Sequence, residues 1–143
     1  MNYEKTKKVL KDLDYIDERN IVCFSLANKT ESNYYFFFSI ATKEKQTNLP
    51  KCMLLSLKGD QLIISEAKSS GKFKAFFDSI SLKALSYVGK EEGVYDTHHF
   101  HVLNPDGSQG DFKINTVHPD DTYYAGKLVK TILEWQKDNL KTE

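Results

Sequence analysis

The order of secondary-structure signals along the chain is the feature that most limits its possible folds. Strand-like segments extend from about residue 20 to residue 115, and one long amphipathic segment, Pro119 to Leu140, closes the sequence. The apolar residues of this segment recur at spacings of three and four, which predicts a helix with one apolar face. They are Ala125, Leu128, Val129, Ile132, Leu133, Trp135 and Leu140. We therefore predict an α+β fold in which antiparallel strands share a core with a C-terminal helix.

The rest of the chain fits the same single domain, residues 1–143. Residues 1–19 have a partial apolar stripe and predict a short N-terminal helix, residues 20–115 predict antiparallel strands, and residues 119–140 predict the closing helix. Tight turns are expected at Gly59-Asp60 and at Asn104–Gly107, because glycine readily adopts positive φ and proline favours the second turn position.

Two segments in the first half have distinct patterns. Tyr34 to Ile40 is apolar on both faces, which predicts a central strand covered on both sides. Thr42 to Pro50 is polar and rich in lysine, which predicts a surface loop. Cys23 and Cys52 both lie among apolar neighbours, so we expect two buried, reduced thiols.

Composition excludes several classes of partner. Twenty basic and twenty acidic residues give a net charge of zero, so no overall positive potential attracts the protein to DNA or anionic lipid. Arg19 is the only arginine, and arginine dominates phosphate and guanine recognition, so we do not expect a nucleic-acid ligand. The first 20 residues contain no apolar leader, and no segment approaches the roughly 18 apolar residues of a membrane span. These features predict a cytoplasmic protein.

Two segments carry a resemblance to a known superfold. Met53 to Ile64 forms a hairpin pattern around Gly59-Asp60, and Ile80 to Val88 follows with regularly spaced Ile, Leu and Val. Over about residues 51–136 the chain resembles the pleckstrin-homology-like superfold, especially its bacterial and GRAM-type members. The resemblance implies a small barrel closed by the C-terminal helix, and the alternative is another α+β architecture, an antiparallel sheet curled round that helix. Residues 1–45 fall outside the resemblance and add a helix and strands.

The resemblance also implies a function. Related domains bind a protein or peptide along an exposed strand edge beside the C-terminal helix, and we expect the same class of partner here. Phosphoinositide-binding members carry several basic residues in and after the first hairpin. This hairpin offers only Lys58, with Asp60 beside it, so a membrane-lipid ligand is not expected. A homo-oligomer is compatible with the sequence.

Charge is distributed unevenly and marks one candidate binding surface. Residues 51–90 have a net charge of +4, and residues 91–118 have a net charge of −4. Lys68, Lys72 and Lys74 cluster in the basic part, which favours an acidic protein or peptide. Strand alternation would place Lys72 and Lys74 on the face opposite Phe73 and Ala75.

The segment His98-His99-Phe100-His101 is the alternative candidate site. His99 and His101 share one face of a strand, about 7 Å apart, and could share a metal only with strand distortion and a third ligand such as Asp96 or Asp111. The spacing alone supplies too few ligands, so we predict no bound metal and no tight zinc binding. The alternative to a protein-binding module is a small-ligand or metal-binding protein with a site near His98–His101.

Catalytic signatures are absent from the sequence. It contains no Gly-x-Ser-x-Gly motif and no glycine-rich phosphate loop. Asp120 and Asp121 stand at the expected helix start, where carboxylates usually stabilise the first turn. We therefore predict a non-catalytic protein without a cofactor.

Overall fold

The structure is a computed structural model that describes residues 1–26, 50–93 and 95–140, together with the backbone of residues 34–35 and 47–48. It confirms the predicted α+β class, with the N-terminal helix α1 at Tyr3–Asp12 and the C-terminal helix α2 at Pro119–Asn139. A short 3₁₀ helix lies at Leu82–Ala84. The strands are β1 Val22–Leu26, β2 Tyr34–Tyr35, β3 Thr47–Asn48, β4 Cys52–Lys58, β5 Gln61–Ala67, β6 Phe73–Ser81, β7 Leu85–Glu91, β8 Thr97–Leu103 and β9 Gln109–Asn115.

Seven of these strands form one antiparallel sheet in the order β6-β5-β4-β1-β9-β8-β7. The four-stranded half (β6, β5, β4 and β1) meets the three-stranded half (β9, β8 and β7) at the single pair Leu26–Asn115. The Asn115 side-chain amide donates to the Leu26 carbonyl at 2.8 Å, and the Asn115 backbone N–H donates to Ser25 Oγ at 3.0 Å. The described sheet is open, with β6 and β7 as its edges, so it is not a closed barrel.

Helix α2 packs on one face of both halves and completes the larger core. Its buried residues Leu128 and Ile132 are fully shielded from solvent and meet Leu55 of β4 and Phe100 of β8 in one cluster. The amide of Gln136 donates to the carbonyls of Leu82 and Leu85, at 2.9 and 2.7 Å. The predicted role of the closing helix is confirmed.

Helix α1 covers the opposite face of the four-stranded half only. Tyr3 and Leu10 pack with Val22, Phe24 and Leu54 in a second buried cluster. The Tyr3 hydroxyl donates to a carboxylate oxygen of Asp121, which is 3% exposed. Asp121 was expected to support its own helix start, but it turns inward and joins the first turn of α2 to α1.

The predicted turns are present. Gly59 has φ +60° between β4 and β5, and Gly107 has φ +90° between β8 and β9, so both occupy conformations that favour glycine. Asp17 and Arg19 brace the first turn: Asp17 Oδ2 accepts from the Gly59 N–H, and Arg19 Nη2 donates to the Gly59 carbonyl. Burial opposes ionisation of Asp17, but hydrogen bonds from the Arg19 side chain and from the Gly59 and Arg19 backbone N–H groups, together with the Arg19 charge, hold its pKa below its ordinary value.

The predictions for residues 34–50 have a different outcome. Tyr34–Tyr35 form β2, which pairs with β3 in a separate two-stranded sheet and lies near β9. The expected central strand is therefore wrong for these two residues, and residues 36–40 lie outside the described part. Within the expected loop, Thr47–Asn48 form β3.

Candidate functional site

The two surfaces that the sequence singled out lie on different halves of the sheet. The histidine face consists of His99, His101 and Asp111, on β8 and β9. Side chains along β8 alternate between the two faces of the sheet. Phe100 and Val102 point into the α2 core and are each 1% exposed. His99 and His101 therefore point away from α2, on the face that neither helix covers in the described part of the chain.

The two imidazoles converge on one carboxylate. Asp111 Oδ1 lies 2.9 Å from His101 Nδ1 and 3.3 Å from His99 Nε2. The ring centroids of the two histidines are 5.5 Å apart, closer than the expected strand spacing. One ligand atom from each of the three residues lies within 4.8 Å of the other two. The structure thus supplies a third residue that the two-residue spacing lacked.

Cross-strand register explains why Asp111 is the third residue. His101 is directly opposite Asp111 in the β8–β9 hairpin. Asp96, the other carboxylate considered, pairs with Lys90 at 3.5 Å. Pairing residues symmetrically about the predicted turn at Asn104–Gly107 would place position 101 opposite position 110. In the structure the turn includes Ser108, whose carbonyl accepts from the Asn104 N–H, and this one-residue extension places His101 opposite Asp111.

His98 does not belong to the histidine face. It points toward the core, is 5% exposed, and its Nδ1 lies 2.9 Å from the Tyr87 hydroxyl. Burial lowers the pKa of His98, because a charged imidazolium is disfavoured away from water, and the Asp96 charge offsets only part of this effect.

The lysine surface is less regular than strand alternation predicted. Two β-bulges interrupt the pairing of β5 with β6, and Lys74 has no cross-strand partner in the register. The Lys74 ammonium instead lies 3.3 Å from Glu66 Oε2. Lys72 stands just before β6 and lines a cavity beside α1. Lys68 is exposed at the preceding turn, where its N–H donates to the Lys72 carbonyl.

An aromatic cluster beside these lysines escaped the sequence analysis. The Tyr15 ring centroid lies 6.0 Å from that of Phe73 and 5.5 Å from that of Phe76, and Phe76 is 47% exposed. The bulges bring Phe73 and Phe76 to one side, although their spacing of three residues does not fit a regular strand. The adjoining cavity, about 210 Å³, is lined by Met1, Asn2, Lys5, Thr6, Val9, Ser70, Gly71, Lys72 and Phe73.

Among the described residues, the two cysteines and Tyr3 are buried away from solvent. Both cysteines are buried and unbridged, as predicted. Burial raises the pKa of the Cys23 thiol far above its ordinary value, so this sulfur is neutral in the folded protein. Burial and the hydrogen bond to Asp121 likewise raise the pKa of Tyr3.

No protein-family model, curated protein or solved structure matches the chain. The fold class is therefore established by the structure itself. In the part of the chain that the structure describes, the helices are too short or too polar to cross a membrane.

Proposed function

We propose that this protein is a non-catalytic binding module of the pleckstrin-homology-like type that recognises an acidic protein or peptide segment. The docking surface would be the aromatic cluster of Tyr15, Phe73 and Phe76 with its adjoining cavity and lysines. The C-terminal helix across the core face is the feature shared with the superfold that the sequence resembles, whereas the described sheet is open.

The exposure of Phe76 is the observation that carries the proposal. Phe76 packs on Tyr15, which also packs on Phe73 at the cavity wall. An aromatic side chain that is 47% exposed and packed on a second aromatic ring presents apolar area at little entropic cost. The cavity of about 210 Å³ is smaller than the ~300–1,000 Å³ typical of drug-sized ligands. It is therefore better suited to one apolar side chain of a partner than to a whole cofactor.

Charge indicates the chemistry of the partner. Lys5 and Lys72 line the cavity, and Lys68 and Lys74 lie at the neighbouring turn and strand. Basic residues around an apolar centre attract an acidic segment and act mainly on the association rate. An acidic segment with one large apolar residue would match this surface.

The edge beside α2 is the competing position. It belongs to β7, which pairs only with β8 among the described strands. The Leu85 carbonyl already accepts from Gln136, and a bulge between Tyr87 and Gly89 interrupts the strand. Bulges and occupied backbone groups make an edge less suited to adding a strand. We therefore favour the aromatic cluster over the β7 edge.

The test is a selection of displayed random peptides on the untagged chain, followed by titration of a recovered peptide. We expect acidic peptides with an apolar residue. Phe76→Ala should weaken binding about 30-fold, because an aromatic anchor of this kind contributes about 2 kcal/mol. Lys72→Glu combined with Lys74→Glu should weaken binding at low salt, with a smaller effect near 0.15 M salt.

Lys127→Glu combined with Lys130→Glu is the matched control, since both lysines are exposed on α2. This variant has the same charge change and should bind the peptide like the wild type. Recovered peptides without acidic bias, or equal binding by Phe76→Ala, would refute the proposed surface. Dependence on Val88, which is 51% exposed on β7, would place the site at the β7 edge instead.

A further inference from the structure

We propose that His99, His101 and Asp111 form a binding site for a divalent transition-metal ion on the outer face of the three-stranded half. This site is independent of the docking surface, which lies on β6 and α1. Its basis is the convergence of two imidazoles and one carboxylate on a single point of the sheet face.

The distances are close to those that a metal needs. Ligand atoms about 2.0–2.2 Å from one ion in tetrahedral geometry stand roughly 3.3–3.6 Å from one another. Asp111 Oδ1 is 2.9 and 3.3 Å from the two imidazole nitrogens, and no separation in the set exceeds 4.8 Å. The three ligand atoms therefore lie near the spacing that one tetrahedral ion requires.

The donor set indicates the class of ion. Two imidazole nitrogens and one carboxylate oxygen suit zinc and other late first-row divalent ions better than calcium or magnesium, which prefer oxygen ligands. Both imidazole nitrogens face Asp111 Oδ1 as hydrogen-bond partners. A metal ion binds an imidazole through the lone pair of an unprotonated nitrogen, so the affinity for the ion should fall in acid.

The site is accessible and incomplete. The His99, His101 and Asp111 side chains are 22%, 40% and 45% exposed, so an ion can enter from solvent. Three protein ligands leave at least one coordination position for water or another ligand. Lys113 is directly opposite His99 in the register, and its positive charge opposes the ion. These features favour a reversible site of moderate affinity over a closed structural one.

The experiment is a calorimetric titration of the untagged full-length chain with Zn²⁺, repeated with Co²⁺ followed by visible absorption. We expect one saturable site per chain. Asp111→Asn should weaken Zn²⁺ at least about tenfold, since even outer partners of metal ligands contribute 10–100-fold. His99→Gln combined with His101→Gln should abolish saturable binding, and the bound Co²⁺ spectrum should disappear in parallel.

His118→Gln is the control, because His118 precedes α2 and makes no side-chain capping bond. It should bind Zn²⁺ like the wild type. Circular dichroism establishes whether each variant is folded. The Co²⁺ titration of the wild-type chain tests the site even if a variant fails to fold. Absence of saturable binding, or binding that survives both Asp111→Asn and the double histidine change, would overturn the proposal.

Discussion

In the described part of the chain, the two halves of the sheet differ in how many of their faces a helix covers. In the four-stranded half, β4 is buried on both sides, because Leu55 packs toward α2 and Leu54 packs toward α1. In the three-stranded half, β8 alternates, with Phe100 buried under α2 and His101 turned outward. The number of covering layers therefore decides whether a strand has a face available for polar chemistry.

This difference accounts for where the candidate sites lie. A face sealed by a helix has no room for a solvated imidazole or carboxylate, because buried charges need partners. The histidine face occurs on strands that only one helix covers. The aromatic cluster occurs at the margin of α1, where its cover of β6 ends.

The sharpest test of the one-sided half uses two neighbouring residues of β8. Phe100→Ala should lower the free energy of unfolding by about 3–5 kcal/mol, since it leaves a cavity in the α2 core. His101→Ala should change stability by no more than about 0.5 kcal/mol in metal-free buffer, as is usual for surface substitutions. Urea denaturation of both variants measures the contrast, and similar costs at the two positions would contradict one-sided cover.

The four-stranded half has a helix on each face, so we expect two neighbouring residues of β4 to contribute equally to stability. Leu54→Ala and Leu55→Ala should each cost about 2–5 kcal/mol, because both side chains are fully buried, under different helices. The same denaturation measurement applies. If Leu54→Ala had nearly the stability of the wild type, α1 would not cover this face in solution, and the comparison between the halves would fail.

The contact between α1 and α2 should contribute less. Tyr3→Phe keeps the ring stacked on Tyr124 but removes the hydroxyl that donates to the buried Asp121. We expect a loss of about 1–3 kcal/mol, the cost of leaving a buried acceptor without its partner. Tyr123→Phe is the control, because Tyr123 is 63% exposed, and it should behave like the wild type. Equal stability of the two variants would show that the buried hydrogen bond adds nothing.

The smallest expected effect is a pH dependence from His98 in the three-stranded half. Its pKa is lowered in the folded protein, so the unfolded chain binds the proton more readily. The contribution of His98 is therefore fully present above its unfolded value of about 6.5 and is lost as the pH falls through the lower folded value. Denaturation at several pH values should show that the free energy of unfolding falls less steeply with decreasing pH in His98→Asn than in the wild type. Parallel curves would contradict the assignment.

Much of the fold was predictable from local patterns. The spacing of three and four in residues 119–140 identified α2, and Gly59 and Gly107 marked two turns that the structure contains. The alternation of Phe100 and Val102 with His99 and His101 predicted the two faces of β8 correctly. These features are local, because helix period, strand period and positive φ depend on neighbouring residues.

Only the tertiary structure decided which distant residues meet. The β8–β9 register brought Asp111 to the histidine pair, and the β5–β6 bulges brought Phe76 beside Tyr15. The inward turn of Asp121 toward Tyr3 depended on α1 packing across the sheet. The sequence by itself determined α2, the two glycine turns and the two faces of β8, since these follow from local periodicity. The sites arose from register, bulges and helix packing, which depend on the fit between segments far apart in the chain.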